Sequence, residues 1–173
     1  MKILDATAGA RSIWYQKNLP FVTFIDKRNE KINTLKNGNR LVCKRTWNVK
    51  PDVVLDWTKE LPFPKEYFDM VVFDPPHKIK NNGQKESILH MKYGFLDPKT
   101  YKMDLKKGLS NLFNVLKQNG FFIFKWNEEE ISLNEILKLF PYKPLFGTRT
   151  GQKNNTHWVL FMKFRYEREL KIN

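Results

Sequence analysis

Four times along this chain a short apolar run closes on an aspartate. Ile3-Leu4 ends at Asp5, Phe21–Ile25 at Asp26, Val53–Leu55 at Asp56 and Met70–Phe73 at Asp74. Runs this short, rich in β-branched and aromatic residues, are strands rather than helices. Parallel strands need crossover connections, and the intervening segments carry helical patterning. Residues 10–18 place Ile13 and Trp14 on one side, and 28–37 close at Asn37-Gly38. Residues 103–118 align Leu105, Leu109, Leu112, Phe113 and Leu116 before Asn119-Gly120, and 130–140 align Ile131, Ile136, Leu137 and Phe140. Phe121–Phe124 is a further buried strand and Leu41–Cys43 a short extra one. Pro144–Phe146 and Trp158–Met162 follow with no helix between them, which makes an antiparallel hairpin at the sheet edge. The pattern predicts an α/β chain: a mainly parallel, seven-stranded sheet with helices on both faces, ending in that hairpin. Pro62 and Pro64 keep a helix out of the stretch after Asp56. The polar stretch 78–100 reads as one long loop, and a loop of that length is a candidate for function.

At roughly 100–200 residues per domain, 173 residues make one domain. It is expected over 1–165, with 166–173 a charged tail. Lys and Arg number 31 against 18 Asp and Glu, so the formal charge is +13 and the expected partner is anionic, nucleic acid first. The sequence is 41% hydrophobic and 14% aromatic, enough for a core. No apolar run approaches the roughly 18 residues of a membrane span, and Asp5 breaks the first apolar stretch too early for a secretory signal. A cytoplasmic protein without a membrane partner is expected. The lone Cys43 excludes an internal disulfide, and His90 and His157 have no ligands at metal spacing, so no metal is expected.

Ligands of open α/β sheets bind at the carboxyl ends of the strands. Asp5 opens the small-residue turn Ala6-Thr7-Ala8-Gly9-Ala10, where Gly9 admits close approach of a ligand. Asp26 ends the next strand, near the spacing of about 20 residues at which an acid binds a ribose hydroxyl. A strand-end acid can equally serve as a helix cap. A complete G-x-G-x-x-G and a P-loop lysine motif are both missing, which disfavours dinucleotides and nucleoside triphosphates. Asp74-Pro75-Pro76-His77 is the sharpest signal. Two prolines delete two N–H groups and stiffen the turn. What remains is a carboxylate with carbonyls, an acceptor-only surface suited to an amino group, and His77 adds a ring that can stack on a base. Lys78 and Lys80 follow directly, and the basic loop Gly147–Thr156 is expected to bring Arg149, Lys153 and His157 to the same edge.

With these residues the chain resembles the class I S-adenosylmethionine-dependent methyltransferases, and among them the nucleic-acid amino-methyltransferases of the adenine N6 type. Their signature, Asp/Asn/Ser-Pro-Pro-aromatic, stands here as Asp74-Pro75-Pro76-His77, with His77 in place of the usual Tyr, Phe or Trp. The turn Asp5–Ala10 resembles the family's cofactor loop without its second glycine. The resemblance implies a single-domain Rossmann-like fold and S-adenosylmethionine held by Asp5, Ala6, Thr7, Ala8, Gly9, Asp26, Asp56 and Trp57. It implies a catalytic turn at Asp74, Pro75, Pro76 and His77, and phosphate contacts at Lys78, Lys80, Arg149 and Lys153. The implied reaction is methyl transfer to an exocyclic amine in DNA or RNA, adenine N6 first. Cytosine N4, guanine N2, a protein amide, or an inactive binding module are the alternatives. The first strand opens at residue 3, so no covering helix is expected before it. Specificity is then expected from loops 78–100 and 147–156, a partner subunit or a homodimer.

Overall fold

The computed structural model of the chain describes residues 1–33, 46–80, 92–148 and 155–164. In chain order the strands are β1 (Ile3–Asp5), β2 (Val22–Asp26), β3 (Glu30–Asn33), β4 (Thr46–Val49), β5 (Val53–Val54), β6 (Phe68–Phe73), β7 (Leu116–Asn127), β8 (Phe146–Gly147) and β9 (Thr156–Met162). Seven of them form one sheet in the order β5-β2-β1-β6-β7-β9-β8, while β3 and β4 pair as a separate ribbon. Neighbours from β5 through β7 are parallel, and β9 runs antiparallel to both β7 and β8. The Rossmann-like α/β sheet with a terminal antiparallel hairpin is therefore present as the apolar runs predict. Parallel pairing brings Asp5, Asp26 and Asp74 to one edge.

One face of the sheet presents Leu4, Ile25, Val71, Phe73, Phe122, Phe124 and Phe161 to helix α1 (Tyr101–Val115), which returns Leu105, Leu109, Leu112 and Phe113. The helix forms because those residues recur every three to four positions on one side. The short helix α2 (Leu133–Leu137) adds Ile136 to the same layer, and Ser132 caps it by accepting the N–H of Glu135. Phe140, expected inside that helix, lies beyond it and stacks on Phe161 at 4.3 Å.

The opposite face differs from expectation. Ile3, Ala8, Val22, Phe24 and Val72 are covered by Ile13, Trp14 and Leu19, but residues 10–18 run through turns and bends, not a helix. Arg11 explains this. Its backbone sits at φ +52, and its guanidinium lies 3.8 Å over the Phe24 ring while bonding Asp52 at 2.9 Å. These tertiary ties override the weak local helical pattern. Helices among the described residues therefore pack on one face of the sheet.

Three further boundaries shift. Residues 30–33 of the expected helix 28–37 are strand β3, because pairing with β4 buries Ile32 and Val49. Residues 34–37 and the expected strand Leu41–Cys43 lie outside the described residues. Helix α1 stops at Val115 rather than 118, since the Lys163 ammonium caps the carbonyls of Phe113 (2.8 Å) and Leu116 (2.6 Å) and the chain enters β7 directly. The 78–100 stretch is not free of structure at its ends. Ile79 and Leu96 form a parallel bridge, with Lys80 N–H on Leu96 O and Leu96 N–H on Lys78 O. Residues 81–91 and the tail 166–173 lie outside the description. No helix among the described residues is long and apolar enough to cross a membrane.

Candidate active site

At the carboxyl edge of the sheet lies a cleft of about 290 Å3. Its floor is the loop after β1, stitched to both neighbouring strands. Ala6 N–H donates to Val72 O, Ala8 N–H to Ile25 O, and Gly9 N–H to Asp26 Oδ2, each at 2.9 Å. Gly9 sits at φ +50, where a side chain would be strained. Asp26 and Arg28 form one wall, Asp56, Trp57 and Thr58 another, and Asp74 with Pro76 a third. Residues 92–97 close over the top, and Asp104 reaches in from α1.

The carboxylates are held in place by local bonds. Asp26 Oδ1 accepts the backbone N–H and the Nε of Arg28. Asp56 Oδ1 accepts both the N–H and the hydroxyl of Thr58, at 2.9 and 2.8 Å, which leaves Oδ2 free of hydrogen bonds among the described residues. Asp74 is tied from two sides. Its N–H donates to the Thr7 hydroxyl at 2.8 Å, and its Oδ2 accepts Lys125 Nζ at 2.7 Å. The cleft floor and the Pro-Pro turn are thus one bonded unit. Burial holds the His77 imidazole below its usual value, against the opposing pull of Asp74, so its ring is neutral at pH 7. That ring sits between Tyr93 and Trp126, at 6.5 and 6.3 Å between centroids.

No family model matches the chain, and no curated protein sequence does. Solved structures do. An S-adenosylmethionine-dependent methyltransferase from Methanosarcina mazei is 14% identical with a TM-score of 0.53, covering 94% of this chain and 92% of that one. A TehB-like S-adenosylmethionine-dependent methyltransferase from Corynebacterium glutamicum is 15% identical with a TM-score of 0.55, covering 94% and 79%. The N-methyltransferase NodS from Bradyrhizobium japonicum is 11% identical with a TM-score of 0.50, covering 95% and 85%. The fold is that of the S-adenosylmethionine-dependent methyltransferases.

On this methyltransferase fold the expected site residues divide. Ala6, Thr7, Ala8, Gly9, Asp26, Asp56, Trp57, Asp74 and Pro76 line the cleft together. Pro75 is buried and His77 is half-buried beside them. Asp5 is not among the residues that line the cleft: its buried carboxylate accepts Thr7 N–H at 3.0 Å and the Trp14 indole N–H at 2.6 Å, both from the segment after β1. It shapes the loop instead of facing the cleft. The ammonium of Lys78 is engaged by Glu129 at 2.7 Å and Glu130 at 3.4 Å. Lys80 is exposed, with its ammonium 4.8 Å from the Phe95 ring centroid. His157, expected at the cleft, is buried on the helix-covered face with Nε2 2.8 Å from Glu128 and Nδ1 3.2 Å from Thr148 O. Arg149 and Lys153 lie outside the described residues.

Sequence reading missed Arg28; it expected the 78–100 loop to be functional without singling out residues 92–97, and it placed Lys125 at a strand end without assigning it a role. Gly94 between two aromatics was a usable signal: it sits at φ +77, where a side chain is strained, and a Cβ added there would lie 3.6 Å from Pro76 Cγ. Lys125, the first charge after the apolar run of β7, was another.

Proposed function

We propose that this chain is an S-adenosylmethionine-dependent methyltransferase acting on an exocyclic amino group of a nucleic-acid base, adenine N6 first. One observation carries the reading. The turn Asp74-Pro75-Pro76, stripped of two N–H groups, is fastened by the Asp74 N–H to Thr7 of the cleft loop. An acceptor surface for an amine thereby stands at the rim of the cleft that suits the cofactor.

The cleft residues fit S-adenosylmethionine by donor chemistry. Gly9 and its small neighbours leave the loop backbone approachable, and a Cβ at Gly9 would meet no atom nearer than 3.9 Å. Asp26 stands where a ribose diol would be held, and Asp56 Oδ2 with the Trp57 ring where an adenine amine and its face would be held. The five carboxylates Asp26, Asp56, Asp74, Asp97 and Asp104 outnumber the three cations Lys27, Arg28 and Lys92 around the cleft, which favours a ligand bearing positive charge. When bound, the cofactor supplies an electrophilic methyl group on a sulfonium.

The chain's own residues do the rest by positioning and electrostatics. Asp74 and the Pro75 carbonyl accept the two amine hydrogens, which aims the nitrogen lone pair into the cleft. Asp74 then accepts the proton that the amine gives up and passes it to water. The neutral His77 ring stacks on the base, which leaves a duplex by flipping. Lys80, Arg149 and Lys153 contact phosphates in this reading, and a partner subunit or second copy can extend that surface. Lys78 holds the loop through its glutamates.

The test is methyl transfer from labelled S-adenosylmethionine to parallel DNA and RNA pools, followed by nucleoside mass analysis. N6-methylated adenine is expected, with the rate of Asp74→Ala reduced by about 100-fold or more. Label at cytosine N4 or guanine N2 moves the target within the class. Cofactor binding with no label in either pool overturns the nucleic-acid reading in favour of a protein amide or an inactive binding module. Wild-type activity in Asp74→Ala overturns the role of the turn.

A further inference from the structure

Asp74 is not alone at the rim. In the register of β6 and β7, Phe73 stands opposite Phe124, so the next residue of each strand is Asp74 and Lys125. Lys125 Nζ lies 2.7 Å from Asp74 Oδ2, and both side chains are largely buried, 23% and 12% exposed. The Trp158 ring backs the ammonium at 5.8 Å. Among the described residues no other acceptor bonds Lys125 and no donor bonds Asp74 Oδ1. An ammonium has three hydrogens to give, and one is spent on Asp74. The rim therefore presents an acceptor, Asp74 Oδ1, and a donor, Lys125 Nζ, side by side.

We propose that Lys125 is a specificity-determining residue: together with Asp74 it reads an amine that neighbours an unprotonated ring nitrogen, and so selects adenine or cytosine over guanine. The inference rests on the base-methylating reading above and names the substrate edge it needs. In adenine the N6 amine sits beside N1, and in cytosine the N4 amine sits beside N3; each ring nitrogen accepts a hydrogen bond. In guanine the N2 amine sits beside N1–H, which would point a donor at the ammonium. Guanine's other neighbour, N3, accepts only on the side crowded by the glycosidic bond. Leaving the ammonium hydrogens not spent on Asp74 unmet in a half-buried rim, and facing an N–H, is what discriminates, because an unmet polar group costs more than a met one gains.

The experiment compares initial rates on three oligonucleotides that differ at one target position: adenine, 1-deazaadenine and guanine. 1-Deazaadenine keeps the amine and replaces the ring acceptor by C–H. Wild-type kcat/KM is expected to fall about 10- to 100-fold on 1-deazaadenine, with guanine lower still. In Lys125→Met the adenine to 1-deazaadenine ratio is expected to collapse to near one, whatever the absolute rate, and Lys125→Arg is expected to restore part of it. If cytosine is the base modified, cytosine and 3-deazacytosine replace the adenine pair. Equal wild-type rates on the natural and deaza bases overturn the inference while leaving base methylation standing. So does a ratio unchanged in Lys125→Met, which would make the lysine a counter-ion to Asp74 and nothing more. Failure of the wild type to methylate any base overturns the parent reading and this one with it.

Discussion

A carboxylate buried under a binding loop turns pH into a probe of that loop. Asp5 is almost wholly inaccessible, and burial, the largest influence, pushes its carboxyl up from 3.8 to about 6, against the opposing hydrogen bonds from Thr7 and Trp14. The folded chain therefore binds this proton more tightly than the unfolded chain does. The sign follows: the contribution of Asp5 to stability is full below about pH 4 and is lost as pH rises through about 6, a swing of roughly 3 kcal/mol. Asp5→Asn removes the titration while keeping the shape. Thermal unfolding from pH 4 to 7 is expected to show a wild-type-minus-variant difference that falls across this window, and a flat difference would show that Asp5 is not held as described. The sequence placed this acid correctly at a strand end. The side to which a strand-end side chain turns depends on Trp14, and that choice is tertiary.

Among the elements, α1 carries an oddity that patterning explains only once Trp57 is known. Gly108 stands in mid-helix, where it costs about 1 kcal/mol relative to alanine. A Cβ there would lie 2.1 Å from Cε3 of Trp57, a buried ring that also meets Phe73 edge-on at 5.0 Å. The glycine is the notch that lets the indole lie flat between helix and cleft. Gly108→Ala is expected to lower stability by about 1–3 kcal/mol despite its better helix propensity, and to weaken S-adenosylmethionine binding by displacing Trp57. Thermal unfolding and calorimetric titration read the two effects separately; unchanged binding would remove Trp57 from the cofactor wall. The elements legible in the sequence are those with strong local patterns: the four Asp-terminated strands, β7, the hairpin and the body of α1. Those misread are 10–18 and 28–33, where Arg11 over Phe24 and the Ile32–Trp47 pairing decide the conformation from a distance. No local periodicity reports such contacts.

At the scale of the molecule, the net charge of the chain and that of its cleft lining differ in sign. A chain of formal charge +13 lines its cleft with five carboxylates against three cations, Lys27, Arg28 and Lys92. On the proposed function, the positive excess serves an anionic partner and the cleft a cationic ligand, at different surfaces of one protein. The cleft floor and the Pro-Pro turn were legible because consecutive residues carry them. Its roof was legible only as part of the 78–100 loop expected to be functional; that residues 92–97 close the cleft depends on the Ile79–Leu96 bridge and on Arg28 donating to Lys92 O at 3.2 Å. The bond from the Asp74 N–H to the Thr7 hydroxyl spans 67 positions of sequence and joins the cleft floor to the Pro-Pro turn, the proposed sites of cofactor and base. Two ligands that bear on one shared bond have coupled free energies, and the coupling is reciprocal. Thr7→Val keeps the volume and deletes the bond. In the wild type, target oligonucleotide is expected to bind more tightly once S-adenosylhomocysteine is present, by about fivefold or more, and in Thr7→Val the two titrations become independent. On the base-methylating proposal, a chain built this way holds its nucleic acid for as long as the cleft is occupied, so release of the methylated product follows the departure of S-adenosylhomocysteine.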